Sequence, residues 1–318
     1  MSGQRPERIH HYRNHAMDSA RWEGFDPRPG DIHVCTSYKA GTTWTQTVCA
    51  QLIFQQQPWP EQLSRLSPWM EMFARPADEV HRMYAAQSHR RFIKSHTPLD
   101  GIPFFDDAVY LVCARDPRDV FMSLRNHFDN TDFAAVQALR KGVGLPPLEI
   151  TPPDEPQPPD ELFKLWLTVP MFEWEQDGFP MWSFFNHIDS FWRYRHLPNI
   201  HFLHYADLEA DLEGQMRRLA GLLDIEVDEA LLPKLVAGAR FDAVQARPER
   251  FAPEADLGVW KDNARFFNKG TSGQYRGALS DESLALYDRV KVERVGADVA
   301  RWLERGSLAC GDPKDFAG

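Results

Sequence analysis

Residues 31–36 are a short apolar run, 37–43 a turn carrying Lys39, Gly41, Thr42 and Thr43, and 44–54 an apolar stretch of helical length. Strand, tight loop and helix in that order commit this end of the chain to a βα unit. The pattern then recurs. A strand-like run at 91–94 follows a helical stretch, 109–114 leads into 119–128, and 200–205 leads into 208–223. Short apolar runs alternating with amphipathic segments predict an α/β fold, a central parallel β-sheet flanked by helices. The 318 residues, 43% of them hydrophobic, can bury a substantial core. Half of residues 146–159 are proline, so this stretch is expected to be an extended lid or loop. The strands on its two sides are assigned to one sheet, so residues 1–318 are expected to form a single domain.

The first loop has the composition of a phosphate site. Backbone N–H groups at a helix start, together with the positive end of its dipole, favour an anion. A Walker A loop requires Gly-Lys followed by Ser or Thr. Here Lys39 precedes Gly41 and no lysine adjoins Thr42, so the loop is P-loop-like without the signature of magnesium-assisted ATP hydrolysis. Ligands of open parallel sheets sit beyond the carboxyl ends of the strands. Lys39, Lys94, His96 and Arg115 all fall at such ends. Lys94 and His96 are two apart in an extended segment and so share a face. Arg115 either forks two hydrogen bonds to a phosphate or closes a strand-end salt bridge, and Ser123 adds a hydroxyl from the next helix, which Pro117 is placed to start.

Net charge is −10, which argues against general nucleic-acid binding. An anionic small ligand must then be held by a local cluster of cations. Cys35, Cys49, Cys113 and Cys310 are scattered without a CxxC pair, so neither a zinc site nor a disulfide framework is indicated. There is no N-terminal apolar signal region and no run long enough for a membrane span, so the expected location is the cytoplasm. Residues 160–197 are rich in Trp and Phe, expected as a helical core.

Taken in order, these segments resemble the cytosolic-type sulfotransferases over about four fifths of the chain. That family moves a sulfuryl group from 3′-phosphoadenosine 5′-phosphosulfate (PAPS) to an acceptor, leaving 3′-phosphoadenosine 5′-phosphate (PAP). Its Tyr-Pro-Lys-Ser-Gly-Thr-Thr-Trp loop is read here as Ser37-Tyr38-Lys39-Ala40-Gly41-Thr42-Thr43-Trp44. The resemblance implies that Lys39, Gly41, Thr42 and Thr43 hold the 5′-phosphosulfate and that Trp44 stacks on the adenine. The family's Lys-Thr-His segment is similar to Lys94-Ser95-His96, which makes His96 the implied general base and Lys39 and Lys94 its catalytic companions. Its Arg-Asn-Pro-Lys-Asp-Val-x-x-Ser segment matches residues 115–123, which implies Arg115 and Ser123 as ligands of the 3′-phosphate. Tyr205 matches a tyrosine that meets the adenine. The Arg-Lys-Gly that wraps the 3′-phosphate is matched by Asn268, Lys269 and Gly270. The arginine is lost there, with Arg265 or Arg276 as replacements.

The resemblance implies in-line transfer to a hydroxyl, with no metal. The acceptor is expected to be small and apolar or glycolipid-like, that is a phenol, a steroid-like alcohol or a lipid-linked sugar, and Phe73, Phe128, Trp182, His187 and Phe251 are its expected pocket residues. No clear version of the family's Lys-Thr-Val dimer segment is present, which leaves the oligomeric state open. Two other readings stand beside this one. One is a P-loop kinase or nucleotidase with Asp116 as metal ligand; the other is a nucleotide-binding regulator that has lost transfer.

Overall fold

The computed structural model describes residues 5–55, 58–148, 157–268 and 270–317. Four strands, β1 (Ile32–Thr36), β2 (Phe92–Ser95), β3 (Val109–Ala114) and β4 (Ile200–His204), form one parallel sheet in the order β2-β1-β3-β4. Ile32 lies opposite Phe92 on one side and Val109 on the other, so the strands start level and end level. All four expected strands are present within one residue of the expected limits.

Such strands are buried on both faces, and their side chains sort by alternation. Ile32, Val34, Leu111, Cys113 and Leu203 point into one core with Val48 and Leu52 of the helix Thr42–Phe54. Cys35, Tyr110, Val112 and Phe202 point into the opposite core with Trp166, Trp182 and Phe185. Asp31 and Arg91, both 2% exposed, form an ion pair just ahead of β1 and β2 and pin the two strand starts together. Cys35, Cys49 and Cys113 are buried and free. No helix among the described residues is long and apolar enough to cross a membrane.

Three expectations about the helices need correction. The stretch after β4 is two helices, Tyr205–Ala210 and Leu212–Leu222, because Asp211 leaves helical geometry (φ −148°, ψ 72°) and turns its carboxylate to cap Gly214 N–H. The aromatic stretch is likewise divided into Pro159–Thr168 and Phe184–Trp192; most of its aromatics are buried as expected, Trp166, Trp182, Phe184, Phe185, Phe191 and Trp192 among them, whereas Trp174 and Phe179 are 37% and 41% exposed. The helix after β1 begins at Thr42, two residues early, since the left-handed Gly41 (φ 102°) is its N-cap. Residues 149–156 of the proline-rich stretch lie outside the described residues.

The order β2-β1-β3-β4 also fixes where a ligand belongs. The chain leaves β1 for β2 on one side and crosses back to β3 on the other, which opens a crevice beyond the carboxyl ends of β1 and β3. Lys39 follows β1 and Arg115 follows β3.

Candidate active site

A cleft of about 1240 Å³, counted to its open mouth, lies at that crevice. Lys39, Gly41, Thr42, Thr43, Trp44, Lys94, His96, Arg115, Ser123, Tyr205, Asn268 and Gly270 all line it. Lys269 lies outside the described residues.

The loop between β1 and its helix turns twice through left-handed geometry, at Lys39 (φ 57°) and at Gly41. A Cβ on Gly41 would stand 3.2 Å from both Cys113 Sγ and a Tyr205 ring carbon, so a side chain there would crowd both neighbours as well as strain the left-handed backbone. No side chain caps the first turn of the helix Thr42–Phe54, which leaves its N–H groups available to an anion. Gly270 (φ 63°) is equally constrained, since a Cβ would fall 2.5 Å from the Phe241 ring. Gly270→Ala is expected to weaken nucleotide binding by about tenfold or more, because it must displace a ring in the cleft wall and adopt a strained backbone; calorimetric titration with PAP checks it.

Lys39 Nζ sits 4.1 Å from the Phe266 ring centroid and 3.5 Å from His127 Nδ1. Lys94 Nζ lies 5.0 Å from the Trp69 ring centroid. Arg115 lies 4.2 Å over the Tyr205 ring and donates from Nη2 to Thr271 O at 3.0 Å. None of the three forms an ion pair within 4 Å among the described residues, and Arg115 Nε is buried with no partner there. The salt bridge weighed for Arg115 is therefore not made. Asp116 instead caps Arg118 N–H and grips the Arg118 guanidinium at 2.9 and 2.7 Å, which occupies both oxygens and removes it from the cleft as a metal ligand.

Crowded cations repel one another. Burial first, then Arg115 and Lys94, lowers the Lys39 ammonium to a pKa of about 7. Burial also lowers Lys94. An anion placed among them reverses both costs, so anion binding and protonation of Lys39 favour each other.

His96, at the end of β2, has its Nδ1 2.7 Å from Thr36 O. A carbonyl only accepts, so Nδ1 carries the proton and Nε2 is left with a free lone pair. Burial, followed by the neighbouring Lys94, holds this imidazole well below its usual pKa and therefore neutral. Thr36 Oγ1 lies 3.2 Å from the same Nδ1 and 2.5 Å from Thr42 Oγ1, linking the base to the loop. That link joins residues 60 apart and carries no sequence signal.

Asp119 fastens the far wall. Its two oxygens accept from Gly273 N and Gln274 N, each at 2.7 Å, tying the helix Pro117–Asn130 to the segment that presents Gly270. Trp44 meets Tyr205 edge-on at 5.0 Å and anchors its Nε1 on Ala239 O at 2.9 Å. Neither Arg265 nor Arg276, the residues weighed as replacements for the arginine absent at Asn268, lines the cleft.

The five residues expected around an acceptor do not line the cleft. Phe251 packs on Trp59 in the core across the sheet. Trp182 is fully buried one layer behind, 6.3 Å from the His96 ring. His187 is fully buried and pushed down to a pKa of about 3 by that burial. Phe73 and Phe128 are partly buried elsewhere, Phe73 bonded through its N–H to Ala16 O and Phe128 packed beside His127. Trp69, Met72, His127, Glu254, Trp260 and Phe266 form the wall instead. Of these, His127 was findable, because it stands one helical turn after Ser123 on the same face.

A sulfotransferase-domain family model matches residues 29–297, and the chain belongs to that family. A glycolipid sulfotransferase of Mycobacterium tuberculosis is 33% identical over 307 residues, 93% of this chain and 94% of the relative. Human sulfotransferase 1C2 is 23% identical over 278 residues, 84% of each chain. Among solved structures, retinol dehydratase in complex with androsterone and the inactive cofactor PAP superposes with a TM-score of 0.66 at 19% identity, covering 88% of this chain and 85% of that one. Mouse sulfotransferase SULT7A1 complexed with PAP gives 0.61 at 18%, covering 90% and 92%. These two show a shared fold.

Proposed function

We propose that this sulfotransferase takes its sulfuryl group from PAPS and delivers it to a hydroxyl of a small, lipid-linked or otherwise apolar acceptor. One observation carries the reading. Three cations without acidic partners, Lys39, Lys94 and Arg115, meet beyond three adjacent strands beside an imidazole with one free nitrogen. The uncapped helix start and the orphaned Arg115 Nε suit a ligand with phosphate at two ends. The loop residues Gly41, Thr42 and Thr43 would hold the 5′-phosphosulfate, Trp44 and Tyr205 the adenine, and Arg115, Ser123, Asn268, Lys269 and Gly270 the 3′-phosphate.

In this scheme His96 Nε2 removes the acceptor proton, and joint binding makes attack effectively unimolecular. Negative charge then develops on the bridging oxygen of the departing PAP, where the Lys39 and Lys94 ammonium groups stabilise it. The name of the mycobacterial relative and the aromatic wall of Trp69, Trp260 and Phe266 support a lipid-linked acceptor. Incubation with labelled PAPS and a panel of lipid-linked, phenolic and simple alcohols is expected to move label to an acceptor. Tight PAP binding with no transfer to any hydroxyl, or magnesium-dependent ATP turnover, overturns the proposal.

The lowered Lys39 also sets a pH dependence. Free protein loses the Lys39 proton near pH 7, whereas bound anion retains it, so binding above pH 7 takes up a proton. PAP affinity is therefore expected to fall by up to about tenfold per pH unit above pH 8. Lys39→Met is expected to flatten that dependence in calorimetric titrations across pH.

A further inference from the structure

We propose that Glu254 determines acceptor specificity by accepting hydrogen bonds from a second hydroxyl of the acceptor, so that sugars and other polyols are preferred over lone alcohols. This deepens, and rests on, the transfer reading above. Glu254 is the one carboxylate among the described residues lining the cleft. It is 6% exposed, and its carboxylate has no hydrogen bond and no ion pair within 4 Å among the described residues. A carboxylate facing a cleft with no donor from the described residues can accept from a ligand hydroxyl.

Its placement is enforced. Glu254 adopts a left-handed backbone (φ 48°, ψ 32°), uncommon for a residue with a side chain of this size. The surrounding loop holds it there: Asp256 pairs with Arg75 at 2.8 Å and Arg65 at 3.2 Å, and Trp260 Nε1 donates to Pro253 O at 2.6 Å. A strained residue persists only where its surroundings over-determine it. Lys94 lines the same cleft and forms no ion pair with Glu254 within 4 Å. The gap opens beside His96, two residues along β2 from Lys94. Glu254 and His96 line the same cleft, so in the proposed pose a polyol presents one hydroxyl to His96 and a second to Glu254, while Trp69 and Trp260 offer apolar ring surface to its carbon skeleton.

The test compares octyl β-glucoside with 1-octanol as acceptors of labelled sulfate from PAPS. In Glu254→Ala the ratio of kcat/KM for glucoside over octanol is expected to drop about 10- to 100-fold, the loss of a hydrogen bond to a charged group. Glu254→Gln, which keeps one accepting oxygen, is expected to fall between parent and alanine. Calorimetric binding of octyl β-glucoside to the protein–PAP complex is expected to weaken by the same factor. An unchanged ratio, or equal loss with both acceptors, overturns the proposal. If PAPS supports no transfer at all, the transfer reading fails by itself, and the glucoside titration alone still decides for or against Glu254.

Discussion

His96→Ala is expected to lower sulfuryl transfer by about 10²- to 10⁴-fold, the usual contribution of a general base, while leaving the affinity for PAP close to that of the parent. The separation follows from geometry. Nδ1 is engaged by Thr36 O, so the one nitrogen free for chemistry is Nε2, which bonds to no described residue. His96→Asn, with a polar amide but no basic nitrogen, is expected to be as inactive as alanine. Burial and Lys94 keep the ring neutral, so the acid limb of kcat/KM is expected below pH 6.5, the ordinary imidazole value. Initial rates with labelled PAPS and PAP titrations measure both halves. Unchanged turnover in either variant would remove His96 from the role of base.

Arg115→Ala is expected to act on the opposite term. A forked pair of charge-assisted hydrogen bonds is about 3 kcal/mol or more, so PAP affinity is expected to fall about 10²-fold or further. Part of the guanidinium is already committed to Thr271 O, but the buried Nε has no partner among the described residues and is the donor that a phosphate would claim. Arg115→Lys keeps the charge and loses the fork, and is expected to recover part of the affinity. Retained affinity in the alanine variant would move the 3′-phosphate away from the end of β3. A lowered melting temperature without altered affinity would instead assign Arg115 to the Thr271 contact.

The sheet was legible because each strand is a compact apolar run, and burial on both faces requires that composition. The donor side was legible for a related reason: its residues follow strands directly, so position in sequence fixes position in space. The acceptor side lacks that property. Glu254 and Trp260 come from a segment without regular long elements and reach the cleft through Asp256–Arg75 and Trp260–Pro253 contacts that no periodicity encodes. Aromatic content misled for the same reason. Phe251 and Trp182 are as apolar as Trp69, and only tertiary packing places one across the sheet, one behind the wall and one on it.

The strand order has one more consequence. Lys39 and Arg115 hang from β1 and β3, the two interior strands, whereas Lys94 and His96 come from the rim strand β2. Outside β2, among the described residues, the sheet continues only as an isolated pairing of Trp69 with Lys94. Part of the cleft is therefore set on the interior strands and part at the sheet's border, next to the segment that bears Trp69. Mutational drift at that border can retune what is sulfated without disturbing how the donor is gripped. A library randomised at the border and held fixed at the interior strands follows the same division of labour.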